Sequence, residues 1–341
     1  MFYNLVRKAL FATDPETAHE LTLEALKLGH WTGATRLLCK EHNQPVQCMG
    51  LEFPNPVGVA PGLDKNADCF EALGELGFGF VEVGTVTPRP QPGNPKPRVF
   101  RLTEAQAMIN RLGFNNKGVD YLVRKVKNHR FKGVLGINIG KNFDTPMENA
   151  ADDYLHCLDK VYAYADYVTV NISSPNTKNL RDLQGEDQLD ALLGALAARR
   201  AELADQHDRL APMALKVAPD LEDGSIPMIA EIVSRHGIDA VIATNTTIDR
   251  EAVKGMKHAD ETGGLSGAPL KEKADRTLAE LHKVLPTEID MIGVGGITNG
   301  QDAVDKLKLG ASLVQFYTGM VYRGPDLVTE CLQAIAAYRK G

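Results

Sequence analysis

From about residue 55 onward the chain alternates between two hydrophobic patterns. Short, near-continuous apolar runs rich in β-branched residues recur at 56–60 (PVGVA), 79–83 (GFVEV), 133–139, 166–172, 212–217, 239–244, 289–294 and 312–316. Between them lie longer stretches whose apolar positions recur every three or four residues, at 118–129, 148–163, 185–205, 225–236, 270–284 and 300–309. The first pattern predicts strands and the second amphipathic helices. Continuous apolar strands with intervening helices are buried on both faces and pair in parallel. Eight such units predict an α/β chain folded as a (β/α)₈ TIM barrel, with an open doubly wound sheet as the alternative.

The N-terminus follows a different pattern. Residues 2–11 form a short apolar helical stretch. A second helix is expected to start at Asp14 as N-cap with Pro15 in its first position, and to stop at Gly29. In it Ala18, Leu21, Ala25 and Leu28 share one face, and Glu16, Glu20 and Glu24 another. Two expectations follow: a lid packed on the barrel bottom, or a small helical module offering an apolar face to lipid. The chain is thus divided at residue 40, with a helical extension (1–40) before a barrel domain (41–341).

In a barrel, chemistry sits on the loops after the C-terminal ends of the strands. Those ends carry PGLDK (61–65), GTVTPRPQPGNP (84–95), GKN (140–142), NISSPNT (171–177), APDL (218–221), TNTT (244–247), GVGGI (293–297) and FYTG (316–319). Turn chemistry would explain any one of them, but not so many short polar arms on a single rim. GVGGI and the run GASLVQFYTG (310–319) occupy the seventh and eighth loops, where barrels commonly hold a phosphate on backbone N–H groups. A sugar phosphate, flavin mononucleotide and pyridoxal phosphate all remain open on that ground. Lys65 and Lys216 stand at strand ends as Schiff-base formers, anion binders or solvent-facing residues, and Lys216 lies within the apolar run ALKVA. Asn110, Asn138, Asn171, Asn176 and Asn245 add donors and acceptors at or near strand ends. Such groups suit a ligand ring of alternating N–H and C=O.

Composition narrows the choice. A formal charge of −6 over 341 residues offers no general basic surface for nucleic acid. Cys39, Cys48, Cys69, Cys157 and Cys331 are scattered and odd in number, which argues for a reducing compartment and against a disulfide framework. With no CxxC, no HExxH and no histidine pair at ligand spacing, no metal is expected. No run approaches the roughly 20 apolar residues of a membrane span. These features predict a cytoplasmic chain that touches a membrane only at its edge.

The motifs GLDK (62–65), GFGFVEVGTVTPRPQPGNPKPRVFRL (77–102), INRLGFNN (109–116), GINIGKN (136–142), NISSPNT, TNTT, ETGGLSG (261–267), IGVGGI (292–297) and GASLVQFYTG cover nearly the whole length. Taken together, the chain resembles the membrane-associated, quinone-dependent (class 2) dihydroorotate dehydrogenases of pyrimidine synthesis. That resemblance implies oxidation of (S)-dihydroorotate to orotate, with FMN accepting the hydride and a membrane quinone as final acceptor. It implies FMN contacts from Pro61, Gly62, Leu63, Asp64, Lys65, Thr85, Asn138, Asn171, Lys216 and Thr244, with the phosphate near Gly267, Gly296, Tyr317 and Thr318. Lys216 would stabilise the reduced, anionic flavin. The substrate carboxylate would meet Lys65, its amide edge Asn110, Asn171, Asn176, Asn245 and Thr246, and the loop Asn110–Arg111–Leu112–Gly113–Phe114 would cover it. Ser174 is the implied base for the C5 proton, a place that the soluble class gives to cysteine, with Thr177 and a water as its relay and Ser173 as a structural hydroxyl. The N-terminal pair would form a quinone tunnel flanked by His19, Arg101 and Tyr317, in a monomer held peripherally on the cytoplasmic face of the cell membrane. Two departures stand out: Pro61 replaces the family's usual alanine and lacks an N–H, and Phe143 replaces a commonly basic residue.

Overall fold

The computed structural model describes residues 2–37, 43–222 and 224–340, so Cys39 and the expected division at residue 40 lie outside the described residues. Helices α1 (Phe2–Phe11) and α2 (Pro15–Thr32) open the chain. Asp14 caps α2 by accepting from the Glu16 and Thr17 N–H groups. The helix passes the expected stop at Gly29 and ends at Gly33, whose φ of 77° supplies the left-handed cap. Gly29 serves close packing instead, since a methyl there would stand 2.9 Å from Thr35 Cγ2.

Strands β1 (Val46–Cys48) and β2 (Leu51–Phe53) form an antiparallel hairpin. Then come β3 (Val57–Val59), helix α3 (Phe70–Gly74), β4 (Phe80–Val86), β5 (Val99–Leu102), β6 (Ala107–Asn110), α4 (Val119–Val126), β7 (Val134–Ile139), α5 (Ala150–Val161), β8 (Tyr167–Asn171), α6 (Glu186–His207), β9 (Met213–Val217), α7 (Ser225–Arg235) and β10 (Ala240–Ala243). The remainder is β11 (Gly264–Gly267), α8 (Lys271–Val284), β12 (Asp290–Val294), α9 (Gly300–Lys308), β13 (Leu313–Phe316), α10 (Thr318–Arg323) and α11 (Asp326–Tyr338). Strands β3, β4, β7, β8, β9, β10, β12 and β13 pair in parallel and close into a barrel through β13 and β3. They are the eight strands that the apolar runs predict, and the closed barrel replaces the open-sheet alternative.

The barrel's lower end is sealed by the hairpin. Phe53 meets Phe80 edge-on at 5.2 Å between ring centroids, and Met49 N–H donates to Asp290 at the foot of β12, 2.6 Å away. The upper end carries a three-stranded antiparallel sheet, β11–β6–β5, which the hydrophobic pattern does not reveal. Its strands are four residues long, and β11 (GLSG) begins and ends with glycine, so pairing and not intrinsic propensity holds it extended.

The helical pair docks beside this upper sheet and not on the barrel bottom. Tyr3 OH donates to Val321 O at 2.7 Å, Arg7 to Tyr322 O at 2.7 Å, and Phe11 meets Tyr322 edge-on at 5.3 Å. Glu16 is buried in an ion pair with Arg98, 2.7 Å away, which fastens α2 to the chain entering β5. Leu23 and Leu26 pack inward. Leu21 and Leu28 face solvent, and Trp31 is 83% exposed.

Candidate active site

A cavity opens at the C-terminal ends of the barrel strands, roofed by the small sheet and by residues 110–114. The cavity and its open mouth together enclose ≈ 1080 Å³ free of protein atoms, part of it continuous with solvent. Its wall includes Pro61, Gly62, Lys65, Thr85, Asn110, Leu112, Gly113, Phe114, Asn171, Ser174, Asn176, Lys216, Thr244, Asn245, Thr246, Gly267, Tyr317 and Thr318. The structure thus brings most of the expected site residues to one concave surface.

Five expected ligand contacts and two expected tunnel residues lie off that wall. Leu63 is buried in the core, and the Asp64 carboxylate accepts from Asp68 and Cys69 N–H, shaping the turn after β3. Asn138 lies beneath the cavity floor, hydrogen-bonded to Thr85 and Glu82. Arg111 turns outward to Glu261, 2.7 Å away. Gly296 backs onto Lys271, while its neighbour Gly295 faces the cavity. Arg101 donates to the Leu10 and Thr13 carbonyls and stacks on Phe11, so it ties α1 and α2 to β5. The His19 ring lies 6.4 Å from that of Tyr317. Burial, and next the Lys65 charge, depress the His19 imidazole to about 3, so it is neutral at ordinary pH. Burial raises the Tyr317 phenol to about 12.

Two cations face the cavity. Lys65 Nζ donates to the Gly62 carbonyl at 3.0 Å, and burial lowers its pKa to about 8, with Glu16 partly offsetting this. Lys216 is buried, its pKa lowered by desolvation and partly restored by the charge of Glu82. Among the described residues it has no hydrogen-bond partner. A buried ammonium costs several kcal/mol unless something answers it; Glu82 answers part of that cost from inside the barrel, and an anionic ligand in the cavity would answer more.

The polar floor is closely wired. Thr85 Oγ1 donates to Asn138 Oδ1 at 2.5 Å, and Asn171 Nδ2 donates to Thr85 Oγ1 at 2.9 Å and to Asn138 Oδ1 at 3.2 Å. Ser173 is fully buried and bonded to both Asn171 and Asn245, as expected of a structural hydroxyl. Ser174 lines the cavity, its Oγ accepting from Asn176 N–H at 3.3 Å. Thr177 Oγ1 is buried with no partner. Above, Asn176 Nδ2 donates to Asn110 Oδ1 at 3.2 Å, which leaves Asn176 Oδ1 buried and unpartnered. The roof is pinned by Gln91 Nε2, which donates to the Gly113 and Phe114 carbonyls, and by Asn94 Nδ2, which donates to Arg111 O.

One side of the cavity is shaped for an anion. Gly267 and Gly295 adopt φ of 93° and 102°, and a methyl on Gly267 would overlap the Gln106 carbonyl oxygen. Their bare backbone lies beside Thr318 and Gly319 at the start of α10, an arrangement suited to a phosphate. Glu82 was not legible as a site residue. Its signal was a lone acid within an apolar strand, FVEV, and it lies inside the barrel beneath Asn138.

The dihydroorotate dehydrogenase family model matches residues 44–338. The chain is 58% identical over 337 residues to a dihydroorotate dehydrogenase (quinone) of Aromatoleum aromaticum, covering 98% of this chain and 95% of that one. It is 59% identical over 336 residues to the enzyme of the same name from Thiobacillus denitrificans, covering 98% and 100%. The crystal structure of the Eimeria tenella dihydroorotate dehydrogenase in complex with ferulenol superposes with a TM-score of 0.88 at 37% identity, covering 96% of this chain and 92% of that one.

Proposed function

The chain belongs to the dihydroorotate dehydrogenase family, and on that footing we propose that it oxidises (S)-dihydroorotate to orotate in pyrimidine synthesis, with FMN as cofactor and a quinone as final electron acceptor. The observation that carries this reading is the cavity's complement of groups. Lys65 offers a cation for a carboxylate. Asn110, Asn171, Asn176 and Asn245 line the same wall. Amides both donate and accept, which suits the alternating N–H and C=O edge of a dihydropyrimidine ring.

The residues also fit FMN. Gly267, Gly295 and Thr318 would hold its phosphate, and Pro61, Gly62, Thr85, Lys216 and Thr244 would face its ring; Pro61 contributes shape but no N–H. Held there, FMN would supply the acceptor for a hydride from the substrate's C6 and the electron carrier to quinone. Lys216, with no hydrogen-bond partner of its own, supplies the positive charge that matches the negative charge of the reduced cofactor.

Ser174 receives the C5 proton in the same oxidation. A hydroxyl is a weak base at neutral pH, so its own proton must pass onward, and the buried, unpartnered Thr177 Oγ1 is the candidate acceptor route. Phe114 and the pinned 110–114 loop exclude bulk water from the reacting carbons.

The N-terminal segment, residues 1–40, serves the quinone half-reaction in this reading. Leu5, Leu21, Leu28 and Trp31 give α1 and α2 an exposed apolar surface, while no described helix is long and apolar enough to cross a membrane. Peripheral insertion of that surface on the cytoplasmic face of the cell membrane, by a monomer, brings His19 and Tyr317 to the quinone's route, with Arg101 holding the helices in place. Anaerobic titration of the purified yellow protein with dihydroorotate tests the whole reading. About one equivalent per chain should bleach the flavin band, and a short-chain quinone should restore it. Unchanged colour under excess dihydroorotate would contradict it.

A further inference from the structure

Glu82 sits on β4 within the barrel, with no solvent access. Its Oε1 accepts from Asn138 Nδ2 at 2.8 Å, and its Oε2 from Tyr167 OH at 2.9 Å and Gln315 Nε2 at 2.7 Å. An ionised carboxylate can only accept, and that constraint propagates upward. Asn138 must turn its NH₂ down toward Glu82, so its Oδ1 faces up and accepts from Thr85 Oγ1 and Asn171 Nδ2. The Asn171 orientation agrees with this and is also fixed by the backbone, its Oδ1 accepting from Ser173 N–H at 3.3 Å, Ser173 Oγ at 3.2 Å and Asn245 Nδ2 at 3.4 Å. Asn245 then presents Oδ1 to Thr246 N–H at 2.8 Å. Every donor in the chain points toward the carboxylate.

Amides and hydroxyls are otherwise ambivalent. Asn171 and Asn245 are held by backbone donors, Ser173 N–H to Asn171 Oδ1 at 3.3 Å and Thr246 N–H to Asn245 Oδ1 at 2.8 Å, whereas Asn138 has only side-chain partners and could, with the Thr85 hydroxyl, be reversed with little change of shape. We propose that Glu82, which does not touch the cavity, is a positioning residue that fixes the orientation of Asn138 and of the Thr85 hydroxyl, so that both accept from Asn171 and hold its amide in place on the wall offered to the pyrimidine ligand. Its charge also answers Lys216 across the barrel interior. The polarity follows from hydrogen-bond chemistry alone, while its consequence for the ligand rests on the function proposed above.

The test compares Glu82→Gln with Glu82→Asp. Glutamine keeps the shape and loses the charge and the acceptor-only character; aspartate keeps both and loses one methylene. A polarity-setting role predicts that E82D retains more orotate affinity than E82Q, measured by calorimetry, with E82Q weakened about tenfold. It also predicts that KM for dihydroorotate rises in the same order while thermal stability of E82Q stays close to that of the parent. A purely steric role gives the opposite ranking, and E82Q equal to the parent overturns the proposal. Orotate binding by the parent protein is the control for the function itself: its absence would sink that function and leave the polarity of the chain unaffected. Should either variant fail to fold, neutron diffraction from the deuterated parent decides the matter. Deuterons on the Asn138 atom facing Glu82, with the Thr85 hydroxyl aimed at Asn138, support the proposal. The reverse orientation of either group refutes it.

Discussion

The charge state of Lys65 makes a prediction with a definite sign. Burial lowers its pKa to about 8, an effect that Glu16 and Asp64 oppose and Arg98 reinforces. A carboxylate ligand binds the protonated form. At pH 7 about nine-tenths of the empty sites carry that proton, and at pH 9 about one-tenth. If the bound carboxylate keeps Lys65 charged, the apparent dissociation constant scales inversely with the protonated fraction. Orotate affinity therefore falls about tenfold between pH 7 and pH 9, or about 1.4 kcal/mol. The missing proton is taken up on binding: about 0.1 per site at pH 7 and about 0.9 at pH 9. Calorimetry in two buffers of different ionisation enthalpy measures affinity and proton uptake together. Glu16→Gln removes the charge that raises Lys65, so the decline should begin at lower pH in that variant. An affinity constant within twofold from pH 7 to pH 9, with no proton uptake at pH 9, would refute the reasoning.

Other expectations concern separate parts of the fold. Gly267→Ala places a methyl against the Gln106 carbonyl at a φ of 93°, so it should cost about 1–3 kcal/mol of stability and lower the flavin-to-protein ratio of the purified enzyme; full flavin content at normal melting temperature would contradict the cradle. Arg98→Met leaves the buried Glu16 carboxylate without its main partner and should cost about 3 kcal/mol in urea unfolding, with no loss if the pair is only superficial. The double substitution Leu28→Ser and Trp31→Ser removes exposed apolar surface, so it should change unfolding free energy by less than about 0.5 kcal/mol while reducing co-sedimentation with phosphatidylcholine vesicles. Equal co-sedimentation would remove α2 from the membrane contact.

What the sequence makes legible depends on where each residue is buried. The eight barrel strands are enclosed on both faces, so their apolar runs mark them with nearly correct bounds. The roofing sheet escapes because its strands borrow stability from pairing: Gly264 aligns with Asn110 and Gly267 with Ala107, and glycines carry no strand signal of their own. Gly29 misleads for the opposite reason, since it looks like a helix stop but serves a close approach to Thr35. Glu16 shares a helix face with Glu20 and Glu24 in the sequence, yet it alone of the three is buried, because Arg98 lies 82 residues away and only the tertiary fold supplies it. The polar residues at strand ends are visible as a set, since polar side chains inside apolar runs are conspicuous. Their wiring is not: Asn138 faces Glu82 across neighbouring strands, and that meeting depends on barrel register.

The central claim is that the Ser174 hydroxyl takes the substrate proton in the cavity. It is tested most directly by anaerobic rapid mixing of the flavin-loaded enzyme with dihydroorotate, comparing the parent with Ser174→Ala. The account predicts that the variant binds orotate with affinity within a few-fold of the parent and reduces its flavin at least about 100-fold more slowly. Reduction at a near-parental rate would contradict it.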